Sequence, residues 1–128
     1  MKLASIDIGL KRIGVALCLA SNIVTPQVAI LRKNRNQAAN EVKAFLKEWE
    51  IEKLIVGYPS ASEEMQRRIK HFVNLLELEI EVAYFEENMS SIEAEDLIKG
   101  DIKYKRDGRV DSIAAKIILE RYLSLKKI

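Results

Sequence analysis

The chain has 128 residues, of which 48% are apolar and 31% are charged, and its net charge is +2. This balance excludes a disordered chain and indicates one globular domain over residues 1–128, while the small net charge alone does not identify a nucleic-acid partner. The single cysteine, Cys18, excludes a disulfide framework within the chain. No apolar stretch is long enough for a membrane span. A signal peptide would continue with an uncharged apolar region, whereas here a strand that contains an acid directly follows the first residues. We therefore expect a cytoplasmic protein.

Three strands are predicted first, over residues 2–8, 13–19 and 24–31. The first is a continuous apolar run that contains one acid, Asp7, and a basic turn with Lys11 and Arg12 joins it to the second. Pro26 indicates an edge or entry position for the start of the third strand, because proline cannot donate a hydrogen bond to a neighbouring strand.

Helices and strands then alternate. A helix is predicted over residues 37–49, a buried strand over 54–56, a helix capped by Ser60 and Glu63 that ends near residue 78, and a strand over 80–85. Ser90 and Glu93 predict another capped helix that ends near Gly100. Residues 101–109 are polar and basic and are expected to be a loop that orders on binding substrate, and residues 111–125 form the final predicted helix.

This order predicts an α/β fold with a mixed five-stranded sheet. Three antiparallel strands form a meander, two more strands enter through right-handed helical crossovers, and helices flank the sheet.

Four acids stand out by their positions: Asp7 in the first strand, Glu86 and Glu87 after the last strand, and Asp111 at the start of the final helix. If the first and last strands are neighbours, these carboxylates meet at one end of the sheet and suit Mg²⁺ or Mn²⁺. Two such ions would support phosphodiester cleavage.

Simpler interpretations remain open for each acid. Asp7 can pair with Lys11 or Arg12, and one of Glu86 and Glu87 can be an ordinary loop residue. Asp111 can be a helix N-cap, which is the commonest role of aspartate at a helix start.

Four sequence blocks resemble the YqgF family, the RuvC-like resolvase branch of the RNase H superfamily. Residues 4–16 contain Asp7-Ile-Gly9, a basic pair and Ile13-Gly-Val-Ala16, and residues 55–59 read Ile-Val-Gly-Tyr-Pro. Residues 86–95 and 110–123 resemble the third and fourth family blocks. Two departures, the short polar stretch 60–64 and Asn88 where the family usually has arginine, fall at expected substrate contacts.

The resemblance implies an RNase H-like fold and an Mg²⁺- or Mn²⁺-dependent endonuclease that acts on structured nucleic acid. It implies Asp7, Glu87 and Asp111 as catalytic acids and metal ligands, with Glu86 as a second candidate ligand. Lys11, Arg12, Ser90 and Arg109 are expected to contact the substrate. The family is linked with maturation of the 5′ end of the 16S rRNA precursor and was earlier named for Holliday-junction resolution, so pre-rRNA and branched DNA are both candidate partners.

Two other protein classes compete with this hypothesis. ATPases and phosphotransferases of the actin and sugar-kinase group share the Asp-x-Gly strand, but they need two such domains, and 128 residues provide one. A non-catalytic factor that binds nucleic acid during ribosome assembly is the remaining alternative. Whichever function holds, we expect the protein to be a monomer or a homodimer. A nuclease assay with and without Mg²⁺ separates it from an enzyme.

Overall fold

The structure, a computed structural model, describes residues 1–20, 22–86 and 112–126. Its strands are β1 (Leu3–Ile8), β2 (Arg12–Cys18), β3 (Thr25–Leu31), β4 (Lys53–Tyr58) and β5 (Glu81–Glu86), and its helices are α1 (Arg35–Glu48), α2 (Glu63–Leu75) and α3 (Ile113–Lys126). The capped helix predicted from Ser90 and the loop predicted over residues 101–109 lie outside the described residues.

The strands form one mixed sheet in the order β3-β2-β1-β4-β5. β1 and β2, and β2 and β3, are antiparallel, whereas β4 lies parallel to both β1 and β5. The predicted mixed sheet is therefore confirmed. The idea that the first and last strands are neighbours is wrong, because the almost entirely buried β4 takes the inner position and the half-exposed β5 takes the edge.

Each face of the sheet packs against its own helices. The even-numbered residues of β1 and β4 pack under α1 and α2, with Ile6, Val56 and Phe72 in one core. The odd-numbered residues of the same strands pack under α3, with Ile55 and Leu119 in a second core. The alternation of side chains along a strand therefore decides which helices each strand residue meets.

Helix starts are set by short polar side chains. Asn34 caps α1 and forms a reciprocal capping box with Gln37. Ser62 caps α2 by accepting a hydrogen bond from the Met65 amide at 3.2 Å. The prediction of Ser60 as the cap is wrong, and α2 also ends earlier than expected because Glu77 adopts a left-handed backbone with φ of 47°.

The edge position predicted for the strand that contains Pro26 is confirmed, since β3 is the outer strand beside β2. Cys18 is buried, as its apolar neighbours indicate. None of the helices within the described residues has the length and apolarity needed to span a membrane.

Candidate active site

Asp7 occupies the second-last position of β1, on the face that α3 covers. Its neighbour across the antiparallel pair is Gly14, and on the other side Gly57 directly follows Val56, the partner of Ile6. Because both of these neighbours are glycines, the adjacent strands place no side chain over the Asp7 carboxylate. The groups that bury Asp7 therefore belong to other parts of the chain.

The Asp7 carboxylate lies in a largely buried environment without a counter-charge. Within the part of the chain that the structure describes, no hydrogen bond or ion pair meets it, so the alternative pairing with Lys11 or Arg12 is absent there. Burial raises the pKa of the Asp7 carboxyl above its ordinary value. A buried carboxylate with no partner is costly, which is the condition that a bound cation relieves.

The turn after β1 is tightly fixed. The Gly9 amide donates to the Arg12 carbonyl at 2.9 Å, and a Cβ at Gly9 would lie 2.8 Å from that oxygen, so only glycine fits this close approach. The Arg32 amide donates to the Lys11 carbonyl at 2.8 Å, and the Arg32 guanidinium donates to the Gly9 carbonyl at 2.7 Å. Lys11 and Arg12 are exposed and lie four and five residues after Asp7, on the turn that follows β1.

Two buried serines hold α3 on the Asp7 face of the sheet. The Ser112 hydroxyl accepts a hydrogen bond from the Val15 amide at 2.9 Å, and the Ser5 hydroxyl donates to the Ala115 carbonyl at 2.6 Å. The Val15 amide is available because the pairing of β2 and β3 shifts register between Ile13 and Val15. The start of α3 is thereby attached next to Gly14, the residue paired with Asp7.

Gly57 allows α3 to approach the sheet closely. A Cβ at this position would lie 2.5 Å from the Cδ1 atom of Ile118 and 3.6 Å from the Ile6 carbonyl. The family-like Ile-Val-Gly-Tyr-Pro segment therefore has a packing reason for its glycine.

The structure brings Asp7 and the first residue before α3, Ser112, to the same corner. Glu86 is exposed at the end of β5 and lies on the opposite face of the sheet from Asp7. The preceding residue, Phe85, is on the α3 face, so Glu86 is on the α2 face. Its strand partner Tyr58 packs its ring against Tyr84 on that same face. The predicted site residues Glu87, Ser90, Arg109 and Asp111 lie outside the described residues. Among the residues that are described, no three acids, histidines or cysteines cluster as a metal site.

The two anchoring serines, Ser5 and Ser112, are not among the site residues that the sequence predicts. Their signal is a hydroxyl inside an apolar strand at Ser5 and a hydroxyl at the buried start of the last helix at Ser112. Neither pattern identifies its partner, because the two hydrogen bonds join residues 110 and 97 positions apart.

The β3-β2-β1-β4-β5 sheet with an acid in its central strand defines the RNase H-like class, and solved structures agree. The Holliday junction resolvase of fowlpox virus matches with a TM-score of 0.62 and 17% identity, covering 100% of both chains. RuvC of T. thermophilus, solved in complex with a Holliday junction substrate, matches with a TM-score of 0.61 and 13% identity, covering 99% of this chain and 96% of that one. At these identities the likeness shows the fold.

Sequence comparisons identify the family within that class. A family model described as "RuvX: Holliday junction resolvase" matches residues 1–125, and the chain belongs to this family. A relative from Sulfurovum sp. named "Putative pre-16S rRNA nuclease" is 66% identical, covering 98% of this chain and 100% of the relative. A relative of the same name from Sulfurimonas denitrificans is 54% identical and covers 98% and 99%. The resemblance to a resolvase-like nuclease family is confirmed.

Proposed function

We propose that this protein is a metal-dependent endonuclease that hydrolyses phosphodiester bonds in structured nucleic acid, with residues 1–128 acting as one nuclease domain. The observation that carries the proposal is the carboxylate of Asp7, which is largely buried and has no partner among the described residues, at the corner where α3 is anchored. Family membership supports the same reaction class.

Asp7 fits a divalent cation by its chemistry. A buried carboxylate without a donor or counter-charge among the described residues is a hard oxygen ligand of the kind that Mg²⁺ and Mn²⁺ prefer. When bound, such a cation would activate water and stabilise the leaving oxygen. Asp7 would hold the cation on the α3 face, while the hydrogen bonds of Ser112 and Ser5 fix the helix that covers this face.

We propose Asp111 and Glu87 as the other two acids. Asp111 directly precedes Ser112, whose side chain is attached at Val15 beside the Asp7 corner. Glu87 is preferred to Glu86 because the alternation along β5 directs Phe85 toward Tyr122 on the α3 face and directs Glu86 away from it.

We further propose that Lys11, Arg12, Ser90 and Arg109 contact substrate phosphates. Lys11 and Arg12 are exposed on the turn that directly follows the Asp7 strand, where cations position a nucleic-acid backbone without reading its sequence. Ser90 and Arg109 are proposed from the sequence alone, Ser90 as a hydroxyl at a predicted helix start and Arg109 as part of a basic stretch.

The proposed physiological substrate is the 16S rRNA precursor, because the relatives at 66% and 54% identity are named for that RNA. A cut at its 5′ end is proposed from the family resemblance, and a cytoplasmic location from the sequence. Branched DNA is the second candidate, since the matching family model is described by Holliday junction resolution.

The decisive experiment compares cleavage by the wild type and by Asp7→Asn, with and without Mg²⁺, on a labelled rRNA precursor and on a four-way DNA junction. We expect Asp7→Asn to abolish cleavage because asparagine keeps the shape but loses the charge that holds the cation. Glu41→Gln, which neutralises an exposed acid on α1, is the matched control and should cut normally. A folded Asp7→Asn protein with normal activity would leave a non-catalytic binding factor as the better description.

The same assay separates the two neighbouring glutamates. We expect Glu87→Gln to remove most activity and Glu86→Gln to retain it. The reverse result would assign the ligand to Glu86 and contradict the argument from strand alternation.

A further inference from the structure

A cavity of about 440 Å³ opens on the opposite face of the sheet from Asp7, at the same end of β1. Four arginines and a histidine line it, namely Arg32, Arg35, Arg67, Arg68 and His71, and we call it the arginine pocket. Arg32 precedes α1, Arg35 is the first residue of α1, and the other three come from α2. Its volume is that of a small-ligand pocket, so it admits a nucleotide-sized group and not the face of a duplex.

The arginine pocket carries more positive charge than its surroundings neutralise. Arg68 forms an ion pair with Glu64 at 2.7 Å, and it is the one pocket arginine with a carboxylate partner among the described residues. Arg67 is exposed and takes part in no hydrogen bond or ion pair within the described residues. Several guanidinium groups without carboxylates are a site for a polyanion, and their planar forks match phosphate oxygens.

Two of the pocket arginines are already held in place by neutral groups. The Arg32 guanidinium lies 5.3 Å from the centre of the Phe72 ring and donates to the Gly9 carbonyl. Arg35 donates to the His71 ring nitrogen Nε2 at 3.1 Å. Because these contacts use no acid, they orient the cations without neutralising them, which lowers the entropic cost of binding an anion.

The arginine pocket and the Asp7 corner share one turn. Ile8 and Leu10 line the pocket, whereas Asp7, adjacent to Ile8, faces the other side of the sheet. The Arg32 hydrogen bond to Gly9 joins the pocket directly to this turn. Leu10 is 67% exposed at the turn tip, which leaves an apolar surface between the two sites.

We propose that the arginine pocket binds a backbone phosphate in an unpaired stretch of the same nucleic-acid substrate, at a distance from the bond that is cut. The strand crosses the turn of residues 9–11, with one phosphate group at the Asp7 corner and another in the pocket. The inference rests on the proposed nuclease function for the identity of the ligand, and its residues are separate from the proposed catalytic acids.

The test measures binding without cleavage, in an Asp7→Asn background, by fluorescence anisotropy of a labelled structured RNA with an unpaired 5′ extension over a series of KCl concentrations. We expect Arg67→Gln and Arg35→Gln each to weaken binding severalfold and to reduce the slope of log K against log salt by about 0.7–0.9. Lys47→Gln, which removes one exposed cation near the other end of α1, should leave affinity and slope unchanged. Circular dichroism checks that each variant is folded.

Trimming the extension to a blunt end should weaken binding by the Asp7→Asn protein and make it insensitive to Arg67→Gln. Equal sensitivity with and without the extension would overturn the assignment to an unpaired stretch. Chemical-shift titration of His71 with inorganic phosphate and with a nucleoside monophosphate provides the second arm. If these small anions bind while Arg67→Gln leaves RNA affinity intact, the pocket is a small-anion site and the proposal is wrong.

The outcomes distinguish this inference from the proposed function. Loss of cleavage in Asp7→Asn together with unchanged RNA binding in Arg67→Gln and Arg35→Gln overturns the inference alone. Weakened RNA binding in these arginine variants, with no cleavage by the wild type, supports the inference and removes the nuclease function.

Discussion

At the scale of single residues, the burial of Asp7 in β1 costs stability, because its charged form loses contact with water. Its carboxylate lies on the α3 face between Gly14 and Gly57, with no cation or donor from the described residues. The raised pKa means that the folded protein holds a proton on Asp7 more tightly than the unfolded chain does. Asp7 therefore favours folding only at pH values below its ordinary pKa, and this contribution is lost as the pH rises through the raised, folded-state value.

We therefore expect Asp7→Asn to melt at a higher temperature than the wild type at pH 7 in the presence of EDTA, because asparagine needs no ionisation in the same place. The difference should disappear well below the ordinary aspartate pKa of about 3.9, where the wild-type carboxyl is protonated in both states. Thermal unfolding followed by circular dichroism from pH 3 to pH 8 measures this.

The metal-binding proposal makes a companion prediction for the same two proteins. Excess Mg²⁺ should raise the melting temperature of the wild type, because an ion that binds only the folded state stabilises it, and should leave Asp7→Asn unchanged. Equal Mg²⁺ stabilisation of both proteins would show that Asp7 is not a ligand.

At the scale of elements, the position of α3 relative to the sheet decides whether the residues at the start of this helix can share a site with Asp7. Sequence patterns predicted the final helix, and its Ile113, Ile117 and Ile118 side chains are buried. They could not predict the attachment of Ser112 to Val15, because it depends on a register shift between β2 and β3. Backbone register is a property of paired strands and leaves little trace in a single segment.

We expect Ser112→Ala to destabilise the protein by about 1–3 kcal/mol, because it leaves the Val15 amide without its acceptor in a buried place. The variant should also need more Mg²⁺ for half-maximal cleavage, since the start of α3 is no longer fixed at the Asp7 corner. Ser124→Ala, at an exposed serine of the same helix, is the control. An unchanged Mg²⁺ requirement in Ser112→Ala would reduce this serine to a role in stability alone.

Gly57 gives an independent test of the close approach between α3 and β4. Gly57→Ala should cost about 1–3 kcal/mol, because its methyl group would overlap Cδ1 of Ile118. Ile118→Val removes that carbon, so the double variant should recover part of the lost stability relative to the sum of the single changes. Strictly additive effects in urea denaturation would contradict the contact.

At the scale of the whole molecule, two hydrophobic cores lie on opposite faces of one sheet, and each supports a different proposed site. The α3 core supports the acid, and the α1 and α2 core supports the arginine pocket. Both meet at the turn after β1. The short sequence from Asp7 to Arg12 therefore has contacts with each face, and this arrangement lets one substrate strand reach both.

The α3 core is small, so each of its large side chains should matter. Leu119 is fully buried, and Leu119→Ala should lower the free energy of unfolding by about 2–5 kcal/mol through lost burial and a residual cavity. Leu125→Ala, on the same helix but 60% exposed, should stay within about 0.5 kcal/mol of the wild type. Comparable losses in the two variants would mean that α3 does not pack as described.

The local sequence pattern was sufficient to predict the strands, the two crossovers, the edge position of β3 and the unusual acid at Asp7. Hydrophobic periodicity and turn-forming residues are properties of neighbouring residues, so they can be recognised in a single segment. It was insufficient for the strand order. The insertion of β4 between β1 and β5 separates Asp7 from the end of β5 by one strand, and only tertiary packing decided this. The arginine pocket has the same origin: Arg32 and Arg35 are far in sequence from Arg67 and His71, and the packing of α1 and α2 over β1 brings these cations together. Residue types and their spacing thus determined which functional groups the chain contains. Tertiary packing decided which of these groups share a site, because contacts between distant segments depend on how the helices and the sheet pack against each other.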